Sequence, residues 1–247
     1  MSTKRGDINY SGVITSDRYL NEIYQDIYLA FKDTADLFVD SQENVLEIGA
    51  GDFSPADSYF AKVIKSDLIS ESSDAALIKI DSSNLPFDDN FFDVIIAKDV
   101  IHHFKKPFAT FQELSRVMKP NSVMIVSEPY WSLLGRFIFR FLHPEKWDVK
   151  VDHLNIESED PWESNQALLY LLTNKFRKEF YSEVPRLRLK ILQPTYGLTY
   201  AISGGVFSRT WVPSLFLIIM NKIELKYLKL FKKLLALNTI AVFVKTS

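Results

Sequence analysis

The sequence predicts an α/β protein with a mostly parallel sheet and helices on both of its faces. Three observations carry this. Short, nearly all-apolar runs recur along the chain, as strands buried on both sides require. Helix-period segments alternate with them. Several of the runs end in glycine or aspartate, where a chain leaving a sheet has to turn.

The first element is a long amphipathic helix from Ser16 to Val39. Its apolar face holds Tyr19, Ile23, Ile27, Phe31, Ala35 and Phe38, while Lys32, Asp33 and Asp36 fall elsewhere. The first strand is Val45 to Ile48 and runs into Gly49-Ala50-Gly51. The second is Ala61 to Leu68, the third Ala76 to Ile80 and the fourth Phe92 to Ala97. So little chain separates Asp67 from Asp81 that a loop or single turn is expected there, not a full crossover helix. A helix from Pro107 to Met118 follows, with Phe108, Phe111, Leu114, Val117 and Met118 on one face. Pro120-Asn121 then breaks the chain before a fifth strand, Val123 to Ser127. Beyond Pro129 the chain is more aromatic and basic. A helix and loop are expected over Trp131 to Trp147, and a helix from Gln166 to Phe180. The last two of seven strands are Leu187 to Leu192 and Thr239 to Val244, with a largely helical stretch, Gln193 to Leu237, between them.

Length and composition suit one domain with sizeable insertions. The chain has 247 residues, 47% hydrophobic and 24% charged. With a formal net charge of -2 it has no global positive field to draw in a phosphate backbone, so nucleic acid is not expected as the main partner. It has no cysteine, hence neither disulfides nor a thiolate zinc site, which fits the cytoplasm. No apolar run follows Lys4-Arg5, so no secretory signal is read. The most apolar stretch, Trp211 to Met220, is too short to span a bilayer and contains Pro213.

The chemistry-bearing residues sit at strand ends. Glu47-Ile48-Gly49-Ala50-Gly51 closes the first strand, and glycines there permit a tight turn and close approach to a ligand. Asp67 ends the second strand, about 20 residues after Glu47, where a ribose-binding carboxylate belongs in such sheets. Asp81-Ser82 ends the third and suits hydrogen bonding to an adenine edge. Each alone has a plainer explanation. Gly-x-Gly is often only a turn, Asp67 a helix cap and Asp81 a turn residue. Their occurrence at three successive strand ends is far more specific, because in an open α/β sheet those ends converge on one crevice.

VLEIGAG, SDL, KIDSSNLPFDDNFFDVIIAKDVIHHF and PFATFQELSRVMKPNSVMIVSEP resemble the class I S-adenosylmethionine-dependent methyltransferases, in their small-molecule, type 11-like branch. The resemblance covers roughly Asn44 to Pro129 and, more loosely, the last strand. It implies a Rossmann-like seven-stranded sheet with an antiparallel last strand and S-adenosyl-L-methionine as cofactor. It implies that Glu47, Gly49 and Gly51 line the methionine side, that Asp67 binds the ribose, and that Asp81 and Ser82 hold the adenine. Lys98 and Asp99 then follow strand four, near where cofactor and acceptor meet, and Asp93 is structural. Phe53 departs from the third glycine found in such turns. That counts against a nicotinamide-dependent oxidoreductase more than against a methyltransferase, because a pyrophosphate needs the close approach and a sulfonium ligand does not.

Methyl transfer needs alignment, desolvation and in some cases a base. His102 and His103 lie just past the fourth strand and Glu128 ends the fifth, so these three are the candidate catalytic residues. Packing or helix capping would account equally for the histidines. His143 and His153 are weaker candidates, and no His/carboxylate spacing reads as a metal site. The chain is read as one domain, 1–247. It divides into a helical segment 1–43, a cofactor-binding core 44–130, and substrate-side caps at 131–186 and 193–237. Ser203-Gly204-Gly205 would serve as a hinge or a plain loop. Residues 221–237 combine an apolar stripe with five lysines. They are read as a solvated lid helix, with weak peripheral membrane contact as the alternative. The expected reaction is O-methylation of a small molecule such as a sugar or polysaccharide precursor. The competing readings are an NAD(P)-dependent oxidoreductase and an inactive interaction module.

Overall fold

The computed structural model describes residues 9–68, 77–158, 160, 162–207, 210–227 and 231–247. Its centre is a seven-stranded sheet of β1 (Val45–Ile48), β2 (Val63–Asp67), β3 (Leu77–Lys79), β4 (Phe92–Lys98), β5 (Met118–Pro129), β6 (Leu187–Pro194) and β7 (Asn238–Lys245). The spatial order is β3-β2-β1-β4-β5-β7-β6. Strands β1 to β5 pair in parallel, while β7 runs antiparallel to both β5 and β6. The chain winds outward from β1 in one direction through β2 and β3, then restarts beside β1 with β4. The order therefore reverses between β1 and β4, and a crevice opens beyond their carboxyl ends.

The sheet divides two cores, and β5 shows how. Val123 and Ile125 point to one face, where Tyr19, Ile23, Ile27 and Phe31 of helix α2 (Arg18–Phe38) pack. Met124 and Val126 point to the other, against Phe111, Leu114 and Val117 of α3 (Pro107–Val117). This is the period of two of an extended strand, with both faces buried. The predicted N-terminal helix begins at a break. A first helix, α1 (Tyr10–Ser16), stops at Asp17, whose carboxylate accepts the amides of Tyr19 and Leu20 at 2.8 and 3.1 Å and starts α2.

Three expectations need correction. The fifth strand is longer than predicted, because pairing with β4 begins at Phe92–Met118. Pro120-Asn121 marks a kink within it, where Asn121 takes φ +63°, and not its start. The predicted Gln166–Phe180 helix is two, α5 (Leu168–Thr173) and α6 (Arg177–Glu183). The Asn174 side chain donates back to the Tyr170 carbonyl at 2.9 Å and closes the first. Residues 221–237 are not one helix among the described residues. Helix α8 spans Ser214–Tyr227 and α9 spans Lys232–Leu235. The expected loop or turn between β2 and β3 falls largely at 69–76, outside the described residues. No described helix is long and apolar enough to cross a membrane.

Asp93, buried at the start of β4, accepts the Asn44 amide at 3.0 Å and Lys119 Nζ at 2.7 Å, tying three chain segments together. Asp93→Ala removes both acceptors and should cost about 1–3 kcal/mol in denaturant unfolding. Ligand affinity at the far end of β4 should stay unchanged.

Candidate active site

The crevice is built from the bends that leave β1, β2 and β4. After β1, the Gly49 and Ala50 amides both donate to the Ser66 carbonyl of β2, at 2.8 and 3.1 Å, so the bend is pinned to its neighbour. Gly49 has φ +68°, and a Cβ there would lie 2.2 Å from Cγ2 of Val100, just past β4. Only glycine lets the two loops meet. Gly51 also has a positive φ, +62°, but a Cβ there would meet nothing within 4 Å, so this turn of backbone faces open space. The Gly51 amide donates to Asp67 Oδ2 at 3.0 Å, joining the first bend to the end of β2. The Asp67 carbonyl accepts the Ile80 amide at 2.9 Å, which brings Asp81 alongside. Asp81 is exposed and accepts the Ser83 amide at 2.8 Å, and Ser82 is half-buried next to it. The two carboxylates and the glycine bend thus share one edge of the sheet, as the sequence reading requires. An open glycine cradle flanked by two accessible carboxylates fits an adenosyl ligand with ribose hydroxyls to bind.

Glu47 lies behind this edge, not on its surface. Its carboxylate is 1% exposed and accepts from the Tyr28 hydroxyl and from Ser54 Oγ at 2.5 Å. Burial pushes it up to about 7, against the pull of the Ser54 and Tyr28 hydrogen bonds. It therefore braces the bend from below. At the end of β4, Lys98 is also largely enclosed. Its ammonium pairs with Asp99 and lies 4.1 Å from the centre of the Tyr24 ring. Burial alone would lower the Lys98 value, but the Asp99 carboxylate and the Tyr24 hydroxyl outweigh it and hold it protonated. Asp99 takes φ +54°, accepts from Asn238 Nδ2 at 3.4 Å, and keeps 33% of its side chain exposed. Sequence reasoning missed Tyr24 and Tyr28. Their i, i+4 spacing on α2 was the available signal.

The structure brings the predicted catalytic trio together, largely below the surface. His102 and Glu128 are buried, at 1% and 0% exposed. His102 Nδ1 lies 2.6 Å from Glu128 Oε2, while Glu128 Oε1 accepts the amides of Val100 and Ile101, each at 2.8 Å. His102 Nε2 faces Glu145 Oε2 at 3.4 Å, an ion-pair distance and not a well-formed hydrogen bond. Burial would lower the His102 value, but Glu128 and Glu145 overcome it and push it up to about 10. Through Glu128 the pair is tied to the backbone of the loop after β4. His103 is half-buried, its ring centre 4.5 Å from that of His102. His102, His103 and Glu145 place ligand-type atoms within 4.8 Å of one another, a cluster that sequence spacing did not show. With Glu145 Oε2 also accepting from Gln166 and Ser164, it reads as a buried cation between two carboxylates. His143 packs between Phe139 and Phe207, and His153 is exposed.

Between β1 and β2 the described chain holds only a short 3-10 turn, Ala56–Ser58. Phe53 occupies the place of a third glycine and packs edge-on against Tyr24, centres 5.6 Å apart. No α-helix presents its N-terminus to a pyrophosphate here, which counts against dinucleotide binding. A cleft of about 250 Å³ between Arg116, Glu183 and Lys245 lies at the opposite edge of the sheet and takes no part in this site.

Residues 46–126 match the family described as a methyltransferase domain. Escherichia coli YafE, an uncharacterised protein, is 28% identical over 120 residues, 43% of this chain; the match spans about half of that relative, 54%. The YcgJ protein of Bacillus subtilis superposes with a TM-score of 0.53 at 16% identity, covering 89% of this chain and 98% of that one. An S-adenosylmethionine-dependent methyltransferase of Archaeoglobus fulgidus gives 0.53 at 15% identity, covering 90% and 94%. A complex of a Haloferax volcanii methyltransferase with its Trm112 activator gives 0.52 at 14%, covering 92% of each chain. At these identities the structural likeness speaks for the fold.

Two outcomes follow from the geometry. Gly49→Ala should cost about 3 kcal/mol from backbone strain and the Val100 clash together, and adding Val100→Ala should recover part of it. Gly51→Ala should cost only the backbone share, about 1–2 kcal/mol. The charge on His102 contributes stability that is whole below its unfolded value near 6.5 and is lost as pH rises through about 10. The stability gap between the wild type and His102→Gln should therefore narrow across that window. A gap independent of pH would mean that His102 is neutral.

Proposed function

We propose that this chain, which belongs to the class I S-adenosylmethionine-dependent methyltransferases, transfers the cofactor's methyl group to an oxygen of a small-molecule acceptor, with a sugar or polysaccharide precursor as the preferred class. The observation that carries the reading is the meeting of Gly51, Asp67 and Asp81 on one edge of the sheet, with Asp99 across the β1–β4 reversal. When bound, the cofactor supplies an electrophilic methyl on a sulfonium.

The residues divide the remaining work. Asp67 accepts the ribose hydroxyls, Asp81 and Ser82 meet the adenine, and the Gly49–Gly51 backbone lets the ligand approach. Glu47 and Lys98 act from behind, by fixing the bend after β1 and by orienting Asp99. Asp99, partly exposed at the end of β4, is assigned the acceptor's proton. His102 and Glu128 hold the backbone of Val100 and Ile101 and so act as positioning residues. His103 stands beside them. Helix α4 (Leu133–Phe141) leaves the carboxyl end of β5 and packs against α9, which suits exclusion of water from the transfer; α7 (Leu198–Ser203) and α2 flank α8.

Isothermal calorimetry should detect binding of both S-adenosylmethionine and S-adenosylhomocysteine, weakened about tenfold or more by Asp67→Ala. Absence of binding by either would end this reading. In mass spectrometry over a panel of hydroxylated acceptors, Asp99→Asn should lower turnover about a hundredfold while keeping S-adenosylhomocysteine affinity. Lys98→Met combined with Asp99→Asn removes both charges of the ion pair and separates loss of the base from loss of the fold. Cofactor binding without turnover on any acceptor would favour an interaction module.

A further inference from the structure

Two helices of the cap wear the wrong surface for water. In α8 the buried residues Leu217, Ile218 and Asn221 mark the inward side. The opposite side, at i, i+4 spacing, presents Leu215, Phe216, Ile219, Ile223 and Tyr227, each between 48% and 65% exposed. In α4 the inward side is Gly135 and Phe139, and the outward side is Leu133, Phe137 and Phe141, each between 54% and 66% exposed. A helix lying on a soluble protein normally turns charged residues outward. Here the outward arc is apolar on both helices.

Cations border both arcs. Arg136 and Arg140 edge the α4 stripe, Lys222 edges that of α8, and Lys226 stands within it at the helix's last turn. The short helix α9 joins them. It packs against α4, meets α8 where Gly197 sits between Glu224 and Leu235, and exposes Phe231 and Leu234 beside Lys232 and Lys233. The three helices contain one acid, Glu224, and it is turned inward, accepting from Thr199 Oγ1 at 2.6 Å and from the amides of Leu198 and Thr199. The surface therefore combines outward apolar stripes with exposed cations and no outward acid on these helices.

We infer that this face docks on a lipid surface carrying anionic headgroups. The apolar stripes of α4 and α8 enter the acyl boundary while the arginines and lysines meet the headgroup phosphates. A second copy of the chain fits less well. A two-fold contact would bring the same cations together, with no outward acid on these three helices to neutralise them. The placement also makes sense of the cap. Helix α4 leaves β5 at Pro129 and α9 leads into β7 at Asn238, residues paired in the sheet, so the α4–α9 part of the docking face stands at the same end of the sheet as the crevice. An acceptor held at a membrane surface would be presented to that edge. The docking itself does not depend on the reaction proposed above.

The test is flotation of the full chain with vesicles of phosphatidylcholine alone and of phosphatidylcholine mixed with phosphatidylglycerol. The chain should float with the mixed vesicles and stay largely unbound with the neutral ones. Lys226→Glu with Arg140→Glu should weaken retention at least tenfold. Phe137→Asp with Ile223→Asp should abolish it, with the circular dichroism spectrum unchanged because all four positions are exposed. Failure to float with either vesicle overturns the inference. So does a concentration-dependent dimer, seen by sedimentation without lipid, that Phe137→Asp dissociates, because a second copy would then cover the face.

Discussion

The crevice depends on a missing side chain. At Gly49 the backbone turns through a left-handed conformation with Val100 packed where a Cβ would stand. That contact lets the loop after β1 and the loop after β4 lie side by side at the point where the strand order reverses. Any other residue would force the loops apart or push β1 out of register. The exposed geometry at Gly51, its bond to Asp67 and the placement of Asp81 all follow from where that first bend is fixed.

Charge buried behind the crevice keeps its walls rigid. Glu47 sits under the first bend, bonded to two hydroxyls from α2 and from the loop. Glu128 and His102 sit under the second, with Glu128 holding two backbone amides. A buried polar group without a partner is costly, and Glu47 and Glu128 each hold specific partners, so the loops have few alternative arrangements. Groups of this kind resemble catalytic residues in sequence, since they are acids and histidines next to strand ends. They are buried, whereas Asp67, Asp81 and Asp99 keep part of their surface open at the crevice.

The cap answers to a different constraint. The core helices α2 and α3 bury one face and solvate the other, as expected for helices on a sheet. Helices α4 and α8 bury one side and leave an apolar one outward. The same molecule thus has an ordinary interior and an unusual exterior, and the unusual part adjoins the functional edge.

Much of this was readable in the residues. Short all-apolar runs, helix-period segments between them and turn-forming strand ends sufficed for the parallel sheet and for the placement of Gly51, Asp67 and Asp81 at one end of it, because crossover geometry leaves few ways to arrange them. The long helix over α2 was legible from its spacing, though its break at Asp17 was not. Other features depend on neighbours distant in sequence, and local pattern cannot carry that. Tyr28 reaches Glu47 across 19 residues, and Glu128 closes on His102 across 26. Tertiary packing alone decided that Glu47, His102 and Glu128 are enclosed while Asp99 is not. It alone decided which side of α4 and α8 faces outward, because burial belongs to the assembled surfaces and not to any single segment.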